Sequence, residues 1–250
     1  MMPRRPLAAA LSFALALTAC SKKTDEAGGS SLPSGPVAPV PPPAGKSWVE
    51  VTSMTPEGGV RIGNPNAAVK FVEYASLTCP HCRDFTKEAA EPLQQKYIAT
   101  GKVSWEYRPF ILNSLDVAAF LLARCRGAEP FFKLAEQTYG AQETWVGQYM
   151  QLTPDQQAQL QATDPSQLFK KIAAASGLDA FFRARGLSSA QQDKCLGDTA
   201  AAQALADNTN KATNEQAVTG TPTFFINGTK AEDLHLWTDV DKRLGQLTGS

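Results

Sequence analysis

The chain has 250 residues, 43% of them hydrophobic and 19% charged, with 24 basic and 24 acidic side chains. That apolar content supports a packed core and excludes wholesale disorder, and the length allows one or two domains. Balanced charge with no long basic run or arginine–aromatic stripe argues against nucleic-acid binding, and beyond residue 20 no stretch is apolar enough to span a bilayer.

Residues 1–20 read as an export signal. Arg4 and Arg5 form its positive start, and Leu7–Leu17 is an apolar stretch too short for a membrane span. The segment ends in Leu17-Thr18-Ala19-Cys20, which resembles the bacterial lipobox. That resemblance implies a signal peptide over 1–19, a lipidated Cys20 at the mature terminus, and anchoring by several acyl chains, which hold a membrane where one does not. The alternative is ordinary cleavage after Ala14-Leu15-Ala16, with Cys20 a spare thiol. Loss of Arg4 and Arg5 leaves a net charge of −2. Residues 20–47 carry Gly, Ser and Pro with few large apolar side chains, and read as a disordered tether. The folded part then runs over 48–250.

Val49-Glu50-Val51 reads as a short edge strand, and Val60–Pro65 ends in turn residues. Val69–Tyr74, rich in β-branched and aromatic residues, reads as a buried strand. It leads directly into Cys79-Pro80-His81-Cys82. From Pro80 the pattern is helical to about Ile98: Phe85, Ala89, Leu93 and Tyr97 recur on one face. Pro80 suits a first helical turn and Pro92 a kink or a break. Gly101 ends the helix and Val103–Tyr107 alternates like a second strand, giving strand, Cys pair, helix, strand: a βαβ unit. A long helical region follows over about 115–216. Within it Thr153-Pro154 and Asp164-Pro165 are N-cap signals, and Ser188 with Gln191 forms a capping box. The pairs Phe131-Phe132 and Phe181-Phe182 read as helical core. Thr219–Pro222 breaks the helical run, Thr223–Ile226 is a strand, and Asn227-Gly228 is a hairpin turn. A short strand near Lys230 and a helix around Leu234–Leu247, holding His235 in a structural or surface role, close the chain.

With Cys20 lipidated, four cysteines remain in an exported chain, and four allow three pairings. Proximity favours Cys79 with Cys82, leaving Cys125 and Cys195. The second pair is either a permanent disulfide stapling two helices or two buried free thiols.

Taken together, Glu73, Cys79-Pro80-His81-Cys82 and Gly220–Gly228 resemble the DsbA-like branch of the thioredoxin fold over nearly all of 48–250. The resemblance implies an α/β thioredoxin domain, a mixed sheet flanked by helices, with a helical insertion at about 115–216. It also implies a thiol:disulfide oxidoreductase with no cofactor beyond the Cys79–Cys82 disulfide, a cis bond before Pro222, and Glu73 beneath the disulfide as a proton relay. The alternative for Glu73 is an outward position or a lysine partner.

The physics of the motif runs the same way. Only a thiolate attacks or leaves readily. Cys79 precedes a helix whose unpaired N–H groups and dipole favour negative charge. His81 can add a hydrogen bond or positive charge. Cys79 is expected to be the exposed, attacked sulfur, and Cys82, one turn on, the shielded one. Thr221 and Pro222 are expected opposite the pair, where Thr221 offers its backbone to an extended substrate.

Zinc is disfavoured because no second ligand pair exists, and covalent haem because Arg83 rather than His follows Cys82. A non-catalytic lipoprotein on the same scaffold is the remaining rival class. Within the redox class, Pro-His between the cysteines resembles oxidases, while Thr221 before Pro222 is shared with isomerases; reductases often carry Gly-Pro. The reading is therefore a monomeric extracytoplasmic oxidase acting on exported cysteine-containing proteins. The resemblance suggests a DsbB-like membrane protein as reoxidant.

Overall fold

The computed structural model describes residues 37–249. The export signal and Cys20 lie outside the described residues. Contact with the body begins before Trp48, where the sequence places the start of the folded part. Val40 N–H donates to the Thr100 carbonyl at 3.0 Å, and the Trp48 indole N–H donates to the Val40 carbonyl at 2.7 Å.

Six strands form one sheet: β1 (Thr52–Met54), β2 (Val60–Gly63), β3 (Val69–Ala75), β4 (Val103–Pro109), β5 (Thr223–Ile226) and β6 (Thr229–Lys230), in the order β1-β2-β4-β3-β5-β6. The β3–β4 pair is parallel and the other pairs are antiparallel. The expected strand at Val49–Val51 is instead a 3-10 turn over Trp48–Glu50, with pairing delayed to Thr52. The cause is local: the Ser47 N–H donates to the Glu50 carboxylate at 2.7 Å, which winds the segment.

Helix α1 (Pro80–Pro92) carries the chain from β3 back toward β4. Pro92 has no N–H to continue the ladder, and the chain passes into a π turn over Leu93–Tyr97. Gly101, at φ +72°, ends the excursion. Between β4 and β5 lie α2 (Ser114–Ala123), α3 (Phe131–Gly140), α4 (Gln142–Met150), α5 (Pro154–Gln161), α6 (Pro165–Ser176), α7 (Leu178–Arg183), α8 (Ser189–Leu196) and α9 (Thr199–Gln216). The capping signals at Thr153, Asp164 and Ser188 start α5, α6 and α8. Helices α4 and α7 begin after Ala141 and Gly177 without a side-chain cap, so no start signal announced them. Asn227 and Gly228, both at positive φ, turn β5 into β6. The closing helix α10 is Trp237–Thr248, so His235 sits in the turn before it rather than within it.

Period-two alternation places Phe71, Glu73, Trp105, Tyr107, Phe224 and Ile226 on one face of the sheet. The apolar members of that face pack with Phe85, Phe131 and Phe132 in the main core. On the other face, Val72, Tyr74 and Phe225 pack with Ala212 of α9 and with Val218. Both faces of the two central strands are covered, which explains their nearly continuous apolar sequence.

Candidate active site: a thiol pair at a helix start

Strand β3 ends at Ala75, and Ser76-Leu77-Thr78 turns the chain into α1 with Cys79 as its N-cap residue. Pro80 takes the first helical position, where a missing N–H costs nothing. Cys79 and Cys82 are free thiols, and Cys82 is fully buried. Thr221 and Pro222, joined by a cis peptide bond, lie across the pair. The Cys79 thiol donates to the Thr221 carbonyl at 3.3 Å. This loop corrects the expectation of an exposed sulfur: Cys79 is only 6% exposed. An open groove of about 390 Å³ adjoins it, lined by His81, Phe85, Pro222, His235, Leu236 and Trp237 among others.

The two sulfurs are driven apart electrostatically. Cys79 falls from 9.0 to about 5. The Cys82 thiol, hydrogen-bonded to the Cys79 sulfur, is the largest cause; the Thr221 side chain and the N–H groups of Cys82 and His81 add to it, against the cost of burial. On ionisation the Cys79 bond to the Thr221 carbonyl is lost. The Thr221 hydroxyl, buried without another partner, is then placed to donate. Cys82 is pushed well above the ordinary thiol value by burial, then by its donation to Cys79, then by the charge of Glu73. His81 acts here through its backbone N–H; its side chain is exposed on the groove wall.

Glu73 pairs across the sheet with Tyr107 on one side and Phe224 on the other, and is fully buried. Burial raises its carboxyl from 4.5 to about 8; the Trp105 indole tempers the shift, and the Cys79 charge adds to it. Neither carboxyl oxygen makes a well-formed hydrogen bond, and neither does the Trp105 N–H. Near neutral pH Glu73 therefore holds a proton, since an isolated buried carboxylate is costly. Among the described residues no lysine pairs with it, which argues against that alternative.

The sequence reading missed several polar groups around the Ser76–Cys79 turn. Asp116, fully buried in α2 between Leu115 and Val117, accepts from Leu77 N–H at 2.9 Å. Gln142 of α4 donates to the carbonyls of Leu77 and Cys79 at 2.8 and 2.9 Å. Tyr139 of α3 donates to the Ser76 carbonyl at 2.9 Å and meets the Tyr107 hydroxyl at 2.7 Å. A carboxylate inside an apolar helix was a usable signal for Asp116; Gln142 carried none.

Cys125 and Cys195 lie in the insertion, disulfide-bonded across 70 residues of sequence. Among the described residues, no set of three His, Cys, Asp or Glu side chains converges on a metal position, and no helix is long and apolar enough to cross a membrane.

Fold and site together define a thioredoxin-like protein with a paired-thiol centre at a helix start. A family model described as Thioredoxin matches residues 55–245, and the chain belongs to that family. It is 31% identical over 187 residues to a Rickettsia bellii chain provisionally named protein-disulfide oxidoreductase, covering 74% of this chain and 62% of that one. It thus spans just under two thirds of the length of that curated relative. The crystal structure of a protein-disulfide isomerase from Novosphingobium aromaticivorans superposes with a TM-score of 0.70 at 31% identity, over 74% of this chain and 96% of that one. Wolbachia pipientis alpha-DsbA1, at 24% identity, shares the fold with a TM-score of 0.58 over 79% of this chain and 94% of its own.

Proposed function

We propose that the protein is a thiol:disulfide oxidoreductase working in the oxidising direction on exported proteins. The observation that carries this reading is the opposed pair: a Cys79 thiol at about 5 beside a Cys82 thiol held far higher. A thiolate stabilised only in the reduced state makes the disulfide state the stronger oxidant.

A substrate thiolate attacks Cys79 Sγ of the Cys79–Cys82 disulfide. The S–S bond breaks and its electron pair leaves on Cys82. Buried Cys82 is a poor leaving group as an anion, and Glu73, which holds a proton near neutral pH and acts electrostatically on Cys82, is assigned as the source of the proton that neutralises it. A second substrate thiolate then attacks the substrate sulfur of the mixed disulfide and releases Cys79 as its stable thiolate. The substrate dithiol has lost two electrons, and Cys79 and Cys82 have gained them. Thr221 and Pro222, with the adjoining groove, hold the substrate segment in extended form.

We place this activity outside the cytoplasm, held to a membrane through Cys20, with a DsbB-like quinone-linked protein restoring the disulfide. The lipobox supports the anchor, and the Cys125–Cys195 disulfide fits an oxidising compartment. A second reading, isomerisation, has the name of the Novosphingobium protein in its favour. Equilibration with glutathione tests direction: a potential near DsbA's, about −120 mV, supports oxidation, and one near thioredoxin's, about −270 mV, turns the protein into a reductase. Reactivation of scrambled ribonuclease separates isomerase from oxidase.

A further inference from the structure

The turn that presents Cys79 is held largely from outside the thioredoxin core. Within Ser76–Cys79, the N–H of Leu77 is taken by Asp116, the carbonyl of Leu77 by Gln142, the carbonyl of Cys79 by the same Gln142, and the carbonyl of Ser76 by Tyr139. Asn113, just before α2, donates to the Thr78 hydroxyl at 3.2 Å, and that hydroxyl lies 2.9 Å from the hydroxyl of Ser76. All four of these side chains belong to the region between β4 and β5. Asp116 and Gln142 are buried, at 0% and 4% exposure, so water does not compete for these bonds. The core itself contributes two backbone bonds here, Cys79 N–H to Ser76 and Arg83 N–H to Cys79.

We infer that Gln142 is a positioning residue for Cys79, and that through it the helical insertion sets the redox poise of the Cys79–Cys82 pair; Tyr139 and Asp116 hold the same turn. The inference rests on the exchange chemistry proposed above. By bonding the carbonyls of Leu77 and Cys79, Gln142 fixes the turn so that the N–H groups of His81 and Cys82 stay aimed at Cys79. Loss of those bonds disfavours the thiolate.

The test uses three variants of the whole chain. Gln142→Met keeps length and volume and removes both donors. Tyr139→Phe removes one hydroxyl from the same turn and keeps the ring, so it carries the test if Gln142→Met fails to fold. Ser176→Ala is the control: Ser176 is equally buried in the insertion but bonds only within its own helix, to Ile172 and Ala173. The readouts are the pH titration of thiolate absorbance and the equilibrium constant with glutathione. In Gln142→Met the thiolate titrates at higher pH, and the equilibrium constant moves at least about threefold toward a weaker oxidant; Tyr139→Phe moves the same way by less. Ser176→Ala loses thermal stability and moves neither readout. Gln142→Met, or Tyr139→Phe in its place, matching Ser176→Ala in both readouts overturns the inference. Wild-type protein that fails to exchange with glutathione overturns the functional reading instead, and the thiolate titration still decides on Gln142.

Discussion

The protein carries two cysteine pairs, and they sit at opposite ends of helices. Cys79 is the N-cap of α1, and its partner Cys82 is in that helix's first turn. There the free N–H groups and the positive end of the dipole favour a thiolate. Cys125 lies just past the end of α2, and Cys195 is the penultimate residue of α8. At those ends the unpaired groups are carbonyls, and negative charge is disfavoured. Cys125 Sγ lies 3.4 Å from the Gln191 carbonyl oxygen, and Cys195 Sγ 3.8 Å from that of Cys125. A sulfur that cannot leave as a thiolate makes a disulfide slow to open. The contrast does not come from depth, because Cys125 is less buried than Cys79. Helix polarity thus adds to the Cys82 hydrogen bond in setting the Cys79–Cys82 pair apart from the Cys125–Cys195 staple.

The largest expected effect comes from the pair at the helix start. Cys79→Ala reduces peptide oxidation to the uncatalysed background, whereas in Cys82→Ala the lone Cys79 thiolate attacks the disulfide of an oxidised substrate peptide, expels one peptide thiolate and, with no second thiol to resolve it, traps a mixed disulfide that mass spectrometry detects. Next is the staple. Replacing both Cys125 and Cys195 with Ala costs about 2–4 kcal/mol in denaturant unfolding and leaves the exchange rate at Cys79 within about twofold of wild type. A comparable loss of exchange would break the division of labour between the two pairs. Limited glutathione at neutral pH opens Cys79–Cys82 and leaves Cys125–Cys195 closed, as alkylation and peptide mapping read directly.

Glu73 gives a smaller effect with a definite sign. Its carboxyl titrates at about 8 in the folded protein against 4.5 ordinarily. The folded state therefore binds the extra proton between those values, and stability falls as pH rises through that window. The slope for one group is at most about 1.4 kcal/mol per pH unit. In the disulfide form, which lacks the opposing Cys79 titration, Glu73→Gln flattens this slope. The same variant slows mixed-disulfide formation about tenfold near neutral pH if proton transfer to Cys82 contributes to that step, less than the ~10²–10⁴ of full acid catalysis.

Much of this was legible in the residues themselves. Strand β3, the cysteines at the helix start, the capping of α5, α6 and α8, and the Asn227-Gly228 turn all depend on local chemistry that a short window of sequence contains. Glu73 was legible because a carboxylate inside a buried strand conflicts with its surroundings. What escaped depends on tertiary placement. Gln142 and Tyr139 are ordinary on their helices and gain meaning only because α3 and α4 pack beside a turn more than 60 residues earlier. The place of Thr221 and Pro222 opposite the pair was legible through the family resemblance, but not that this loop buries Cys79. Tertiary placement also decides His235, whose place on the groove wall follows from α10 starting at Trp237.

The central claim is that the start of α1 holds Cys79 as a thiolate while Cys82 stays protonated. Thiolate absorbance near 240 nm, followed against pH in the reduced protein with Cys79→Ser as blank, reads this directly. A single transition near pH 5 belonging to Cys79 is expected. A transition near the ordinary thiol value of 9.0 would contradict it.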